Sequence, residues 1–419
     1  MSGQGLSSAS SLVLAIMVSR ESAPSEVGAW AVGYALYTFV LAITRNVVST
    51  PTLITAHSNQ DQAQKPTGPI SASLTVGIIA GFALLVSASL ISGPTRAFIV
   101  IFSLALPILL CVDGFRYWFI RTQRPQIMAA MDLLWLTFQI LLGILAIRAG
   151  HGGATITASW VVAAATALTL ALIVAFTVPT FRAALEFFKT NRQASSTFFL
   201  DSIISSAAAN GLPPMLGVIL GLTATGYFRG GLTIIGVAGI AVMGLAPIAT
   251  VELARRRHSR PRVDLHFLLL WSAGMFAFGL AFSVITTHLP ENLGKAVLGE
   301  TWYGTAQILL PLSLQLALRG PLIAVPIVLR VSRRYPWLIA GRIISGVSIL
   351  TATISGAYFW ALPGAAWGWL AGTTASTLGY LTIFLLSQTA RDPNDNALGD
   401  IKEGASCCDS SDGGAPASA

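Results

Sequence analysis

Six ionisable side chains lie within or at the edge of long apolar runs: Arg45, Asp113, Asp132, Asp201, Arg319 and Arg342. A charge at the centre of a membrane helix costs about 2.5–3.5 kcal/mol on insertion scales, so such residues face a cavity, a counter-charge or a bound ion. Arginine suits the last of these. Its planar guanidinium keeps its charge in a poor solvent and can hold two phosphate or carboxylate oxygens at once. Arg319, Arg45 and Arg342 are therefore the candidate substrate-binding residues. Asp132, Asp201 and Asp113 are candidates for the same cavity or for charge pairing. Mutual pairing is the competing reading, because three Arg and three Asp cancel, and Arg45 and Arg342 can also snorkel to the interface. Pro311 and Pro321 flank Arg319. Each removes a backbone donor, which should loosen that helix and free carbonyls to line the same space.

Nothing comparable points to catalysis. His57, His151, His258, His266 and His288 have no metal-ligand spacing, and there is no phosphate-cradling loop. No Ser-His-Asp grouping or paired-carboxylate site can be placed. Cys111 reads as packing, and Cys407 and Cys408 are adjacent residues in a polar tail, which do not make a zinc site. The expectation is a protein that is not an enzyme and carries no metal or cofactor. Gln4, Gln139 and Gln315 could contact sugars, with helix–helix hydrogen bonds as the other use.

The elements that must carry these residues follow from composition. Of 419 residues, 54% are hydrophobic and 10% charged, with a mean hydropathy of +0.72. A soluble domain carries about 25% charged residues. Runs of about 20 apolar residues cross a bilayer as helices, since a backbone without internal hydrogen bonds is too costly there. Twelve such spans can be drawn: 3–19, 27–50, 69–91, 97–113, 127–147, 154–177, 196–220, 231–250, 265–288, 305–329, 337–358 and 365–388. The sequence pI near 9.8 does not indicate nucleic acid, because the basic residues sit in alternate short loops. With the N-terminus inside, seventeen Lys and Arg fall in the inner loops and tail and five in the outer loops. Both termini are then cytoplasmic. On this map Arg116, Arg121 and Arg124 are topology determinants. Trp30, Trp160, Trp302, Tyr303 and Trp360 are anchors at the outer interface, and Trp118 and Trp337 at the inner. Residues Asn292–Leu298 form a short interfacial helix, and Gly211, Pro213, Pro214 and Pro247 mark kinks.

Two halves look related. Gly5 to Ser11 followed by Val27 to Trp30 matches Ser202 to Ala208 followed by Thr225 to Phe228. Arg124 precedes Asp132 by eight residues, as Arg334 precedes Arg342, and Pro107 and Pro311 occupy comparable places. The fold class expected is an all-α integral membrane protein of about twelve transmembrane helices, in two six-helix bundles related by a parallel repeat. The bundles are 1–177 and 196–388, joined by a cytoplasmic linker at 178–195. A polar tail, 389–419, is rich in Asp, Ser, Gly and Ala and reads as disordered. Such repeats commonly build transporters with a site between the halves.

The run Pro24 to Trp30, Arg45, the Arg121 and Arg124 pair with Asp132, the run Gly226 to Arg229, Pro247, and Gly299 with Trp302 together carry a resemblance. With these features the chain resembles the polysaccharide-transporter, O-antigen-flippase-like branch of the multidrug, oligosaccharidyl-lipid and polysaccharide (MOP) exporter superfamily. The likeness runs over all twelve spans. It implies two bundles around a central cavity and movement of a polyprenyl-diphosphate-linked glycan between leaflets of a bacterial plasma membrane. Membrane lipids and polysaccharide-biosynthesis enzymes would be partners, and nucleic acid would not. Two departures stand out. The first span starts unusually close to Met1, so a longer N-terminus is expected. The first span also lacks the coupling carboxylate of many drug exporters. A small-molecule antiporter of the same superfamily or a major-facilitator protein is the alternative. A membrane glycan polymerase or ligase is a more distant one, since the outer loops are short.

Overall fold

The computed structural model describes residues 2–54, 67–192, 211–257, 263–332 and 334–389, with scattered residues between 193 and 210. Asp201, most of the linker's end and the tail lie outside the described residues. The described chain is helical throughout: α1 (Ser2–Glu21), α2 (Pro24–Thr44), α3 (Thr50–Ile54), α4 (Thr67–Ser89), α5 (Pro94–Arg121), α6 (Pro125–Arg148), α7 (Gly153–Ala175), α8 (Phe181–Thr190), α9 (Leu212–Ile219), α10 (Leu222–Arg257), α11 (Val263–Thr287), α12 (Glu291–Leu298), α13 (Trp302–Leu314), α14 (Arg319–Val331) and α15 (Tyr335–Thr389). Prolines open several of them. Pro24, Pro94 and Pro125 stand in the first turn of α2, α5 and α6, where a missing N–H has no partner to lose.

Seven helices are long and apolar enough to cross a membrane, or eight if α12–α13 and α14, bent by 46°, count as one span. Large apolar side chains face outward on them. Ile79, Phe82 and Leu270 are 64%, 67% and 79% exposed, far beyond what water tolerates in a continuous patch. The molecule is an integral membrane protein of many passes. The longest helix, α15, contains a reversal: Trp360 and Ala361 leave helical geometry, with Ala361 at φ 53°. Its two arms fold back on each other through small residues. A side chain on Gly356 would strike the Gly364 backbone, and one on Gly368 the Ala352 backbone. Where lipid is as apolar as the interior, close backbone approach of this kind is what joins helices.

The core divides along the sequence. One cluster of buried residues runs from Leu14 to Ala171, and three others lie between Leu216 and Phe384. Several aromatic residues expected at the interface are in these cores instead. Trp30, Trp160, Trp118 and Trp302 are buried, while Tyr303 and Trp360 are exposed. Trp160 donates to the Ser10 hydroxyl at 3.2 Å, Trp135 donates to the Trp160 carbonyl, and Gln139 bonds the Ser10 backbone at 2.8 Å. An indole N–H can be satisfied by a neighbouring helix, as at Trp160, or stay buried without a partner, as at Trp30 and Trp118, so a tryptophan near a span's end does not fix its place.

Candidate functional site

The charges of the first half form one cluster. Span 97–113 does not stop at Asp113: α5 continues through Phe115, Trp118 and Phe119, all buried, to Arg121. The charges there ended the apolar run in the sequence, yet the helix carries on because its other face is core. Asp113 and Arg116 consequently share one face, three residues apart. Arg45 approaches from α2, where Thr44 gives way to a π turn over Arg45–Ser49. Pro51 cannot donate to the Val47 carbonyl four residues back. That carbonyl is taken by the Ser195 hydroxyl at 2.9 Å, and the wider turn is the kind of irregularity that often accompanies a functional residue.

Arg45 grips Asp113 with two donors, Nε at 2.9 Å and Nη2 at 2.6 Å. Arg116 donates Nε and Nη2 to Asp132 Oδ1, the former at 2.7 Å. It also reaches Asp113 at 3.8 Å and lies over the Trp135 ring at 5.0 Å. Two Arg and two Asp cancel. Three of the four side chains are nearly sealed, whereas Arg45 is 39% exposed. Asp132 Oδ2 is buried with no hydrogen-bond partner. Arg45, Asp113 and Asp132 are paired in this structure, and Arg116, read from sequence as a loop residue, is the hub that joins them. The signal was its spacing from Asp113 on a helix that ran further than its hydropathy.

The second half is arranged differently. Between α13 and α14 the chain makes a turn over residues 315–318 closed by three-residue bonds, Leu316 N–H to Ser313 C=O through Arg319 N–H to Leu316 C=O. Pro311 lies within α13 and Pro321 in the first turn of α14, and the loosening expected around Arg319 is present as this break. Arg319 Nε donates to Gln315 Oε1 at 3.0 Å. Among the described residues it forms no ion pair. Arg342 is half-buried on the first arm of α15, within electrostatic reach of Tyr380. An apolar cleft of about 390 Å³, lined by Val242, Phe267, Trp271, Gly274 and Phe278 among others, opens between α10 and α11.

The halves meet where α2 crosses α10. Gly28 and Gly226 face each other so closely that a Cβ on either would overlap the other helix's backbone, at the Leu222 and Pro24 carbonyls. Arg229, placed by sequence in an outer loop, is on α10 beside this crossing. Its guanidinium lies over Tyr34 at 4.8 Å and Trp30 at 5.0 Å. Its Nε is buried without a hydrogen-bond partner. Arg20 packs its backbone against Gly299 at the same end. Farther along, α2 stays tied to the second half by Thr38 donating to Asn210 at 2.8 Å and Asn46 to Ser202 at 3.0 Å.

No protein-family model and no curated protein matches the chain. Solved structures do. An inward-facing conformation of a multidrug resistance MATE family transporter of the MOP superfamily has a TM-score of 0.72 at 13% identity, covering 91% of this chain and 96% of that one. The lipid II flippase MurJ in an inward closed conformation has a TM-score of 0.67 at 12% identity, covering 91% and 88%. An outward-facing conformation of a multidrug resistance MATE family transporter has a TM-score of 0.57 at 14% identity, covering 93% and 94%. The chain has the fold of MOP-superfamily transporters.

Proposed function

We propose that this chain is an alternating-access membrane transporter of twelve spans, in two six-helix halves at 1–177 and 196–388. The linker 178–195, the tail 389–419 and both termini lie on the cytoplasmic side of a bacterial plasma membrane. The observation that carries the reading is the junction at Gly28 and Gly226. Two halves with separate cores pack backbone against backbone there, and on the charge map that end of the junction is the outer one. A greater likeness to an inward-facing than to an outward-facing relative in fold supports a cavity that opens inward in this state.

For the cargo, export of small amphiphilic molecules in exchange for a cation is the leading reading. An exchanger needs a carboxylate that can gain and lose an ion within the membrane, and Asp113 and Asp132 supply two, one with a free buried oxygen. Arg45 is the most exposed member of their cluster, at 39%. Flipping of a lipid-linked glycan is the second reading, favoured by Arg319, whose charge no carboxylate among the described residues balances. The test is transport by the purified protein in proteoliposomes under a proton or sodium gradient. Counterflow of a fluorescent amphiphilic drug is the expected result. Scrambling of a lipid-linked oligosaccharide analogue without drug movement would select the second reading, and movement of neither would refute both.

Topology gives an independent check. Reporter fusions at Arg257 and Arg391 should read inside and one at Lys295 outside. An Arg257 fusion exposed outside would overturn the twelve-span map.

A further inference from the structure

The break between α13 and α14 gathers hydrogen-bond donors and, among the described residues, no balancing negative charge. Arg319 has five N–H donors, of which only Nε is engaged among the described residues. Gln315 is 1% exposed, and its Nε2 has no partner. The orientation of that amide is set by chemistry: a guanidinium can only donate, so Gln315 must present its oxygen to Arg319, and the buried NH2 is a true unpaired donor. Ser272 on α11 touches Gly320, and its hydroxyl is also buried and unpartnered. Gly320 is needed there because any side chain would strike the Ser272 backbone. From α15, Thr377 donates to the Leu318 carbonyl at 2.9 Å. One turn before it, the buried Thr373 hydroxyl has no partner.

Buried donors left unpaired cost about 1–3 kcal/mol each, and a buried amide NH2 beside a guanidinium without a counter-charge is costly unless an acceptor sometimes fills the space. The cluster at Arg45 shows the contrast, since there each guanidinium already has its carboxylate. We propose that this break binds the anionic group of the transported molecule, a phosphate or carboxylate held by the Arg319 guanidinium and the Gln315 amide. The word transported rests on the function proposed above; the binding does not.

The test uses the full chain in phosphatidylcholine nanodiscs, with calorimetric titration of dodecyl phosphate, inorganic phosphate and dodecyltrimethylammonium. The wild type should bind dodecyl phosphate, and Arg319→Ala should bind it at least tenfold more weakly. Gln315→Glu should do the same while keeping the helix packed, because its carboxylate would occupy Arg319 from within. Arg319→Lys should fall between, having charge without the planar fork. Inorganic phosphate binding as well as dodecyl phosphate would identify a free anion as the ligand; dodecyl phosphate alone would identify an amphiphile's head group. Undiminished binding by Gln315→Glu, or equal binding of the ammonium probe, would overturn the proposal. If these binding changes occur but the wild type moves nothing in proteoliposomes, the site stands and the transport reading falls. If transport and binding both survive Gln315→Glu, the reverse holds.

Discussion

Asp132→Ala is expected to lower stability by about 3–5 kcal/mol, the loss typical when one partner of a buried ion pair is removed. Arg116 would keep its charge among buried neighbours, with only Asp113 at 3.8 Å to answer it, and Asp113 is already held by Arg45. Against a total stability of about 5–15 kcal/mol, little folded protein should survive extraction. The double replacement Arg116→Met with Asp132→Leu should recover a melting temperature near that of the wild type. It removes both charges together and leaves Arg45 with Asp113 as a neutral pair. Replacing a buried pair by apolar groups of similar volume is often neutral. Arg45→Met should cost less than Asp132→Ala, because it leaves Asp113 with Arg116 at 3.8 Å and Arg45 itself is 39% exposed. Thermal melting followed by size-exclusion chromatography in detergent would decide the matter. An Asp132→Ala protein as stable as the wild type, or a double variant as unstable as the single, would show that the cluster does not hold the first half together. The double variant then becomes a tool: folded but lacking one carboxylate, it should lose ion-coupled transport if Asp132 takes part in exchange.

How much of this was legible in the sequence differs from residue to residue. Helices were legible where apolar runs met prolines, as at Pro94 and Pro125, since both signals are local. The short helix before Trp302 was expected as Asn292–Leu298 and stands as Glu291–Leu298. The break at Arg319 could be foreseen because Pro311 and Pro321 each remove a backbone bond close by. The far end of α5 could not. Hydropathy averages around the helix, and the charges of Asp113 and Arg116 hid the buried face formed by Phe115 and Phe119. The burial of Trp30 and Trp160 was hidden for a related reason: the membrane interior and the protein interior are both apolar, so residue type alone does not say which side a face turns to. Arg45 was singled out as a charge within an apolar span. Its pairing with Asp113, 68 positions away, depends on how α2 and α5 cross, and no local signal carries that.

Gly226→Val should abolish transport while leaving the protein inserted and folded. In the structure a Cβ at Gly226 overlaps the Pro24 carbonyl, and one at Gly28 the Leu222 carbonyl. Both obstacles are backbone, so no rotamer change relieves them, and α2 and α10 must separate. Overpacking costs typically about 1–3 kcal/mol, and here it falls only on the state in which the outer end is closed. In an alternating-access cycle such a penalty shifts the population between the two states by a factor of about 5–150. Gly226→Ala should therefore favour the outward-open state, and the larger valine should hold it there. Separation also lifts Arg229 from Trp30 and Tyr34, removing two cation–π contacts from the closed state. The helix supplies its own control. Gly236 and Gly239 lie on α10 with nothing within 4 Å of an added Cβ, so Gly236→Ala should leave both folding and transport unchanged. The measurement is labelling of a cysteine placed at Thr225, buried beside the crossing in this state, by an impermeant reagent added outside, in a background with Cys111, Cys407 and Cys408 replaced by serine or alanine. Faster labelling in Gly226→Ala than in Gly236→Ala is the expected result. Equal rates, with normal transport by Gly226→Val, would mean that the crossing of α2 and α10 never opens and that the two halves do not rock about it.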